Sequence, residues 1–181
     1  MKIKKTKLEG VVIIEPDVFG DNRGFFMESW NKKKMAELGY DYDFVQDNHS
    51  KSTVKGTLRG IHFQKDDKAQ AKLVRCVKGA VLDVAVDLRQ SSPTFKQWVG
   101  VELSEKNKKQ LLIPRGFGHG FVTLTDDVEF LYKADNYYAP EAEGGIRWND
   151  PDIGVEWGVE NPILSEKDKI NPLLKNCKDL Y

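Results

Sequence analysis

The stretch Gln70-Ala71-Lys72-Leu73-Val74-Arg75-Cys76-Val77-Lys78-Gly79-Ala80-Val81-Leu82-Asp83-Val84-Ala85-Val86-Asp87-Leu88 holds two apolar runs hinged at Lys78-Gly79. Both are of strand length and rich in Val and Leu, the composition of a pleated, buried surface. Further strand-like runs lie on either side: Val11 to Ile14, Gly24 to Trp30, Phe95 to Leu103, Gln110 to Pro114, Phe117 to Leu124 and Val128 to Ala134. Gly, Pro, Asn and Asp separate them, the punctuation of an antiparallel sandwich or barrel. Only two segments read as helical. Asn31 to Leu38 is closed by Gly39, and Ser165-Glu166-Lys167-Asp168 has the form of an N-cap with an acidic residue three positions on.

A chain of 181 residues fits one domain spanning 1–181. The tail after Asn161, polar and marked by proline, is expected to wrap its surface. The 28 basic and 28 acidic residues cancel, which argues against nucleic acid or an anionic membrane as the main partner. The N-terminal Met1-Lys2-Ile3-Lys4-Lys5 has no apolar segment behind it, and no run reaches membrane-spanning length, so the chain reads as cytoplasmic. Cys76, inside Leu73 to Val77, reads as a small buried thiol, and Cys76 and Cys177 show no metal spacing.

No G-x-G-x-x-G, Walker loop or G-x-S-x-G elbow is present, so the sequence supports no cofactor. Attention falls on His49, His62 and His119. His62 interrupts a strand-like run, Gly56-Thr57-Leu58-Arg59-Gly60-Ile61-His62-Phe63-Gln64. His119 is flanked by Gly118 and Gly120, which weaken a strand unless something approaches its backbone closely. The spacing of Pro114, Gly116 and His119 resembles the second motif of the cupin superfamily, a jelly-roll β-barrel or sandwich. The resemblance implies a mainly β fold with a few short helices. Metal-binding cupins usually carry H-x-H in the first motif; here the segment reads His62-Phe63-Gln64, leaving two histidines and no clear third ligand, so no metal is expected. Taken one residue at a time, Lys72, Asp83 and Asp87 read as the exposed polar face of half-buried strands. A lysine inside a barrel would instead need a carboxylate, for which Asp83 is placed. Tyr132 shares a strand face with Phe130 and Ala134.

In order along the chain, Asp21 to Phe26, Phe44 to Ser50, Leu58 to Gln64, Lys72 to Arg75, Gly79 to Arg89, Ile113 to Phe121, Gly144 to Pro151 and Ser165 to Asp168 closely resemble the dTDP-4-dehydrorhamnose 3,5-epimerase family. The resemblance implies epimerisation at C3 and C5 of dTDP-4-dehydro-6-deoxy-D-glucose, in the route to dTDP-L-rhamnose. Protons beside the C4 ketone are acidic because the carbanion becomes an enolate, which calls for a base, an acid on the opposite face and a cation or donor at the oxygen. By carry-over His62 is the base, Asp168 orients it, Lys72 held by Asp83 stabilises the enolate, and Tyr132 returns the proton, chiefly at C5. Arg23, Arg59, His119 and Lys167 match positions that hold diphosphate or sugar. Glu28, Gln46, Asn48 and Glu143 match nucleotide or sugar contacts, and Phe26 and Tyr138 are candidates for stacking on thymine. The family also implies a homodimer that exchanges N-terminal strands, with Val11 to Ile14 as the exchanged run. His49 is left structural.

Strict alternation sends Arg59 and His62 to opposite faces of a flat strand. If both serve one site, the strand must be distorted between them, so a bulge is expected at Gly60. The rival readings are a relative inverting only C5 or only C3, a sugar-nucleotide binding module, and a metal-dependent cupin oxygenase.

Overall fold

The computed structural model describes residues 1–177 and 180–181. Its elements, in chain order, are β1 (Lys2–Lys5), β2 (Val12–Glu15), β3 (Val18–Asp21), β4 (Gly24–Met27), α1 (Lys32–Glu37), β5 (Gln46–Ser52) and β6 (Leu58–Gln64). There follow β7 (Lys72–Lys78), β8 (Ala80–Asp87), β9 (Trp98–Ser104), β10 (Gln110–Ile113), β11 (Phe117–Thr123), β12 (Val128–Ala134), β13 (Glu143–Gly145) and α2 (Glu166–Ile170). One sheet runs β1-β2-β10-β7-β12-β5, a second runs β13-β6-β11-β8-β9, and among the described residues β3 and β4 pair only with each other. Neither sheet closes on itself, so of the two jelly-roll forms expected the molecule is the sandwich.

The hinge at Gly79 does not make a hairpin. It carries the chain from β7 in the first sheet to β8 in the second. Gly79 has φ +75°, and a Cβ there would lie 2.5 Å from Thr125 Oγ1, so only glycine fits the crossing. Lys72 and Asp83, near in sequence, therefore stand on different sheets.

Period-two alternation divides the apolar residues among three layers. Val74, Cys76, Val81, Ala85, Leu111 and Phe130 meet between the sheets. Leu58, Ile61, Val84 and Val86 face the other way and are covered by Ile146, Ile153, Trp157 and Leu174. Val12, Ile14, Leu73 and Leu112 form the outer face of the first sheet, under Met35 of α1 and the aromatics Trp30, Tyr40, Tyr42 and Phe44. The C-terminal tail is thus partly a core element rather than a polar wrap: Leu174 is buried and the Tyr181 hydroxyl donates to the Gln64 carbonyl.

Both helices form as the sequence implies. Asn31 caps α1 by accepting from Lys34 N, Gly39 follows its C-terminus with φ +88°, and Ser165 caps α2. Cys76 is buried, and burial pushes its thiol up to about 11. The alternating aspartates differ from the exposed face expected of them, since Asp83 and Asp87 are both 0% exposed. Asp87 is sealed by Arg89, Ser92 and Thr94; burial raises its carboxyl, but those hydrogen bonds win and hold it at about 2.

Candidate active site

The bulge falls where alternation required it. His119 of β11 lies opposite His62, and Phe121, two residues on, lies opposite Arg59, three residues back. One extra residue in β6 therefore brings Arg59 and His62 to the same face. Gly60 permits this: it has φ +134°, and a Cβ there would sit 2.5 Å from Gly120 Cα. What approaches the glycine-flanked backbone of His119 is thus β6 itself.

Across the sandwich, β7 and β12 supply the facing wall. Tyr132 is opposite Val74 and Ala134 is opposite Lys72, which puts Tyr132 and Lys72 in one inward row. The Lys72 ammonium stands 5.6 Å from the Tyr132 ring centroid. A cleft between the sheets is lined by Arg59, His62, His119 and Phe121 on one wall, Lys72, Tyr132 and Ser50 on the other, and Ser165 and Asp168 at its end.

Helix α2 brings Asp168 to His62. Ser165 Oγ accepts from Asp168 N at 3.1 Å and donates to Asp168 Oδ2 at 2.8 Å, while His62 Nε2 lies 2.5 Å from Asp168 Oδ1. Asp168 is therefore both the capping-box residue and the partner of the imidazole. Burial raises its carboxyl, but the bonds from His62 and Ser165 outweigh it and keep it below the usual range. With Nε2 engaged by a carboxylate, the other ring nitrogen is left to accept a proton.

Lys72 makes no ion pair among the described residues. Burial pulls its ammonium down to about 8, against the opposing charges of Asp83 and Glu143. The expected Lys72–Asp83 contact is replaced by another: Asp83 Oδ2 is 2.9 Å from His119 Nε2. The reason is positional, because Asp83 lies opposite Phe121 and His119 opposite Ala85 on adjoining strands, while Lys72 is on the other sheet. Asp83 Oδ1 is buried with no hydrogen-bond partner among the described residues. Burial raises the Tyr132 phenol, with Glu143 and Tyr138 adding to it, so it holds its proton.

At the mouth, Tyr138 donates its hydroxyl to Glu143 Oε2 at 2.9 Å, and Lys167 Nζ pairs with the same oxygen at 2.5 Å. Gln46 and Asn48 lie on the half-buried row of β5 that continues to Ser50. His49 points the other way and pairs with Glu129 on the surface. Three expected residues are not brought to this cleft. Arg23 and Phe26 lie on the β3–β4 hairpin, Arg23 paired with Asp21 and Phe26 71% exposed, and Glu28 is held by Lys34 beside α1. Among the described residues that hairpin joins neither sheet of its own chain, whereas Val11 to Ile14, the run expected to exchange, overlaps β2, which pairs on both sides within its own sheet. Ser50 and Phe121 also line the cleft, and Ser165, legible in the sequence as a helix cap, lines it as well. Ser50 was findable as the second residue after Asn48 in an alternating row.

A jelly-roll sandwich whose histidine–carboxylate pair faces a tyrosine and a lysine of lowered pKa is built to move protons, which places the chain among the acid–base isomerases of this fold. Residues 5–176 match the family described as dTDP-4-dehydrorhamnose 3,5-epimerase, and the chain belongs to that family. It is 60% identical over 176 residues to the Salmonella typhimurium dTDP-4-dehydrorhamnose 3,5-epimerase, covering 96% of each chain. The crystal structure of the Legionella pneumophila dTDP-6-deoxy-D-glucose-3,5-epimerase in complex with dTDP-4-keto-L-rhamnose is 47% identical, with a TM-score of 0.94 over 98% of this chain and 94% of that one. A 3'-monoepimerase from Streptomyces bikiniensis in complex with dTDP-quinovose is 35% identical, with a TM-score of 0.88 over 94% of this chain and 86% of that one.

Proposed function

We propose that this chain converts dTDP-4-dehydro-6-deoxy-D-glucose to dTDP-4-dehydro-L-rhamnose by epimerisation at C3 and C5, a step toward dTDP-L-rhamnose in the cytoplasm. The observation that carries the reading is the placement of His62–Asp168 and Tyr132 on opposed walls of one cleft. Inversion needs a proton removed from one face of the ring and returned to the other. His62 takes the proton from C3 or C5, and Asp168 stabilises the imidazolium that forms. Lys72 neutralises the enolate oxygen at C4, and its lack of an ion-pair partner leaves its donors available. Tyr132, protonated, reprotonates C5 from the far wall, and water entering the cleft returns the proton at C3. Arg59 and His119 bind the diphosphate and sugar end, a guanidinium being suited to paired phosphate oxygens. Tyr138, Glu143, Lys167, Gln46 and Asn48 take the nucleotide end at the mouth.

The exposed Phe19, Phe25 and Phe26 on a hairpin that pairs only with itself support a homodimer in which this segment, carrying Arg23, reaches a second copy. A monoepimerase of the same fold keeps inversion at a single carbon as the second reading. Turnover in heavy water separates the two: label enters both C3 and C5 under the first, and label at one carbon alone overturns it.

A further inference from the structure

Gln64 ends β6 two residues beyond His62, is 4% exposed, and lines no part of the cleft. Both N–H donors and the carbonyl oxygen of its side-chain amide bond main-chain groups. Nε2 donates to Lys68 O at 2.7 Å and to Tyr137 O at 3.1 Å, and Oε1 accepts from Ala139 N at 2.8 Å. Two of those partners bracket Tyr138, whose own N–H donates to Gln46 Oε1 at 2.9 Å. The main chain is thus pinned at three consecutive residues, while the Tyr138 ring stays 54% exposed and its hydroxyl bonds to Glu143. Glu143 in turn lies directly opposite Gln64 in the β13–β6 ladder.

A half-exposed ring would ordinarily sample several orientations; on a backbone fixed on both sides it is ordered before any ligand arrives, which lowers the entropy cost of binding. We infer that Gln64 is a positioning residue that fixes the Tyr138–Glu143 wall at a set distance from His62, so that the nucleotide end and the reacting ring of the substrate register together. The inference rests on the epimerase reading of the cleft and adds a residue that touches neither substrate nor reacting atoms. Its chemistry requires an amide: a carboxylate of the same shape keeps the acceptor for Ala139 N but loses both donors and faces two carbonyl oxygens.

The test measures dTDP affinity by calorimetry and KM and kcat with the sugar nucleotide, for Gln64→Leu and Gln64→Glu. Both variants weaken dTDP binding and raise KM by about tenfold, the scale of lost buried hydrogen bonds, while kcat changes by less than about threefold. In a Tyr138→Ala background the Gln64→Leu effect on dTDP affinity shrinks to less than about twofold, because coupled residues do not add. A fall in kcat with KM unchanged, or full additivity with Tyr138→Ala, overturns the proposal. On the unsubstituted protein, the Ala139 amide exchanges its hydrogen slowly; exchange at the rate of an open loop overturns it without any variant. Calorimetry with dTDP needs no turnover, so failure of the epimerase reading shows separately, as absence of deuterium uptake by the wild-type protein.

Discussion

On the wall built from β6, β8 and β11, each imidazole is bonded to a carboxylate, His62 to Asp168 at 2.5 Å and His119 to Asp83 at 2.9 Å, whereas on the facing wall Lys72 and Tyr132 have no hydrogen-bond partner among the described residues. The first wall is fixed before substrate arrives, its rings oriented by second groups that are themselves buried. The second wall is tuned by burial, which lowers the lysine and raises the tyrosine while leaving their donors free. A base must be aimed and kept basic, so it gains from a partner. A cation that meets an oxygen only when charge develops there gains from having none.

The sharpest way to break this contrast is at the paired wall. His62→Ala should lower kcat by about 10³-fold or more, with dTDP binding kept within a few-fold, as calorimetry and product analysis would register. Substantial residual epimerisation would remove His62 from the role of base. On the unpaired wall, Tyr132→Phe should slow C5 inversion by about 10²-fold while C3 exchange in heavy water continues. Equal loss at both carbons contradicts the division of labour between the walls.

A smaller effect tests the lysine. The free enzyme loses its cation as pH rises through about 8, so kcat/KM should fall above that point. In Lys72→Arg the remaining activity should lack this alkaline limb; a limb that survives the substitution assigns it to another group. Stability shifts least. The folded chain releases the Lys72 proton near 8 and the unfolded chain near 10.5, so between these values the unfolded state binds more protons and stability rises with pH. Lys72→Met should therefore be more stable than wild type by about 1 kcal/mol at pH 7 in urea titration, with the gap closing toward pH 10.5.

The strands legible in the sequence were those with an apolar face, such as Lys72 to Lys78, Ala80 to Asp87 and Val128 to Ala134. Gln46 to Ser52 carries no apolar residue, and so gave no strand signal by pattern. It is an edge strand with Asp47, His49 and Lys51 in water, and its other face turns toward the polar cleft, so neither side needs a hydrophobe. Lys2 to Lys5 was equally silent, being defined by pairing with β2. At the site, the family resemblance gathers His62, Asp168, Lys72, Tyr132, Arg59 and His119, and the fold brings these six to one cleft. The partner of Asp83 was not legible. Choosing between Lys72 and His119 required knowing that Gly79 sends β7 and β8 to different sheets, which is a fact of topology rather than of spacing.

The bulge at Gly60 makes the register of β6 behave like a reading frame. The side chains of a strand alternate, so a regular ladder through the same residues, with the bulge lost, would swap inside for outside from that point on. Ile61, now 0% exposed in the outer layer, and His62 would exchange faces. A side chain at position 60 would meet the Gly120 backbone, so the glycine that absorbs the extra residue cannot be exchanged by degrees. The extra residue between Arg59 and His62 is as much a part of the active site as the two side chains it brings together.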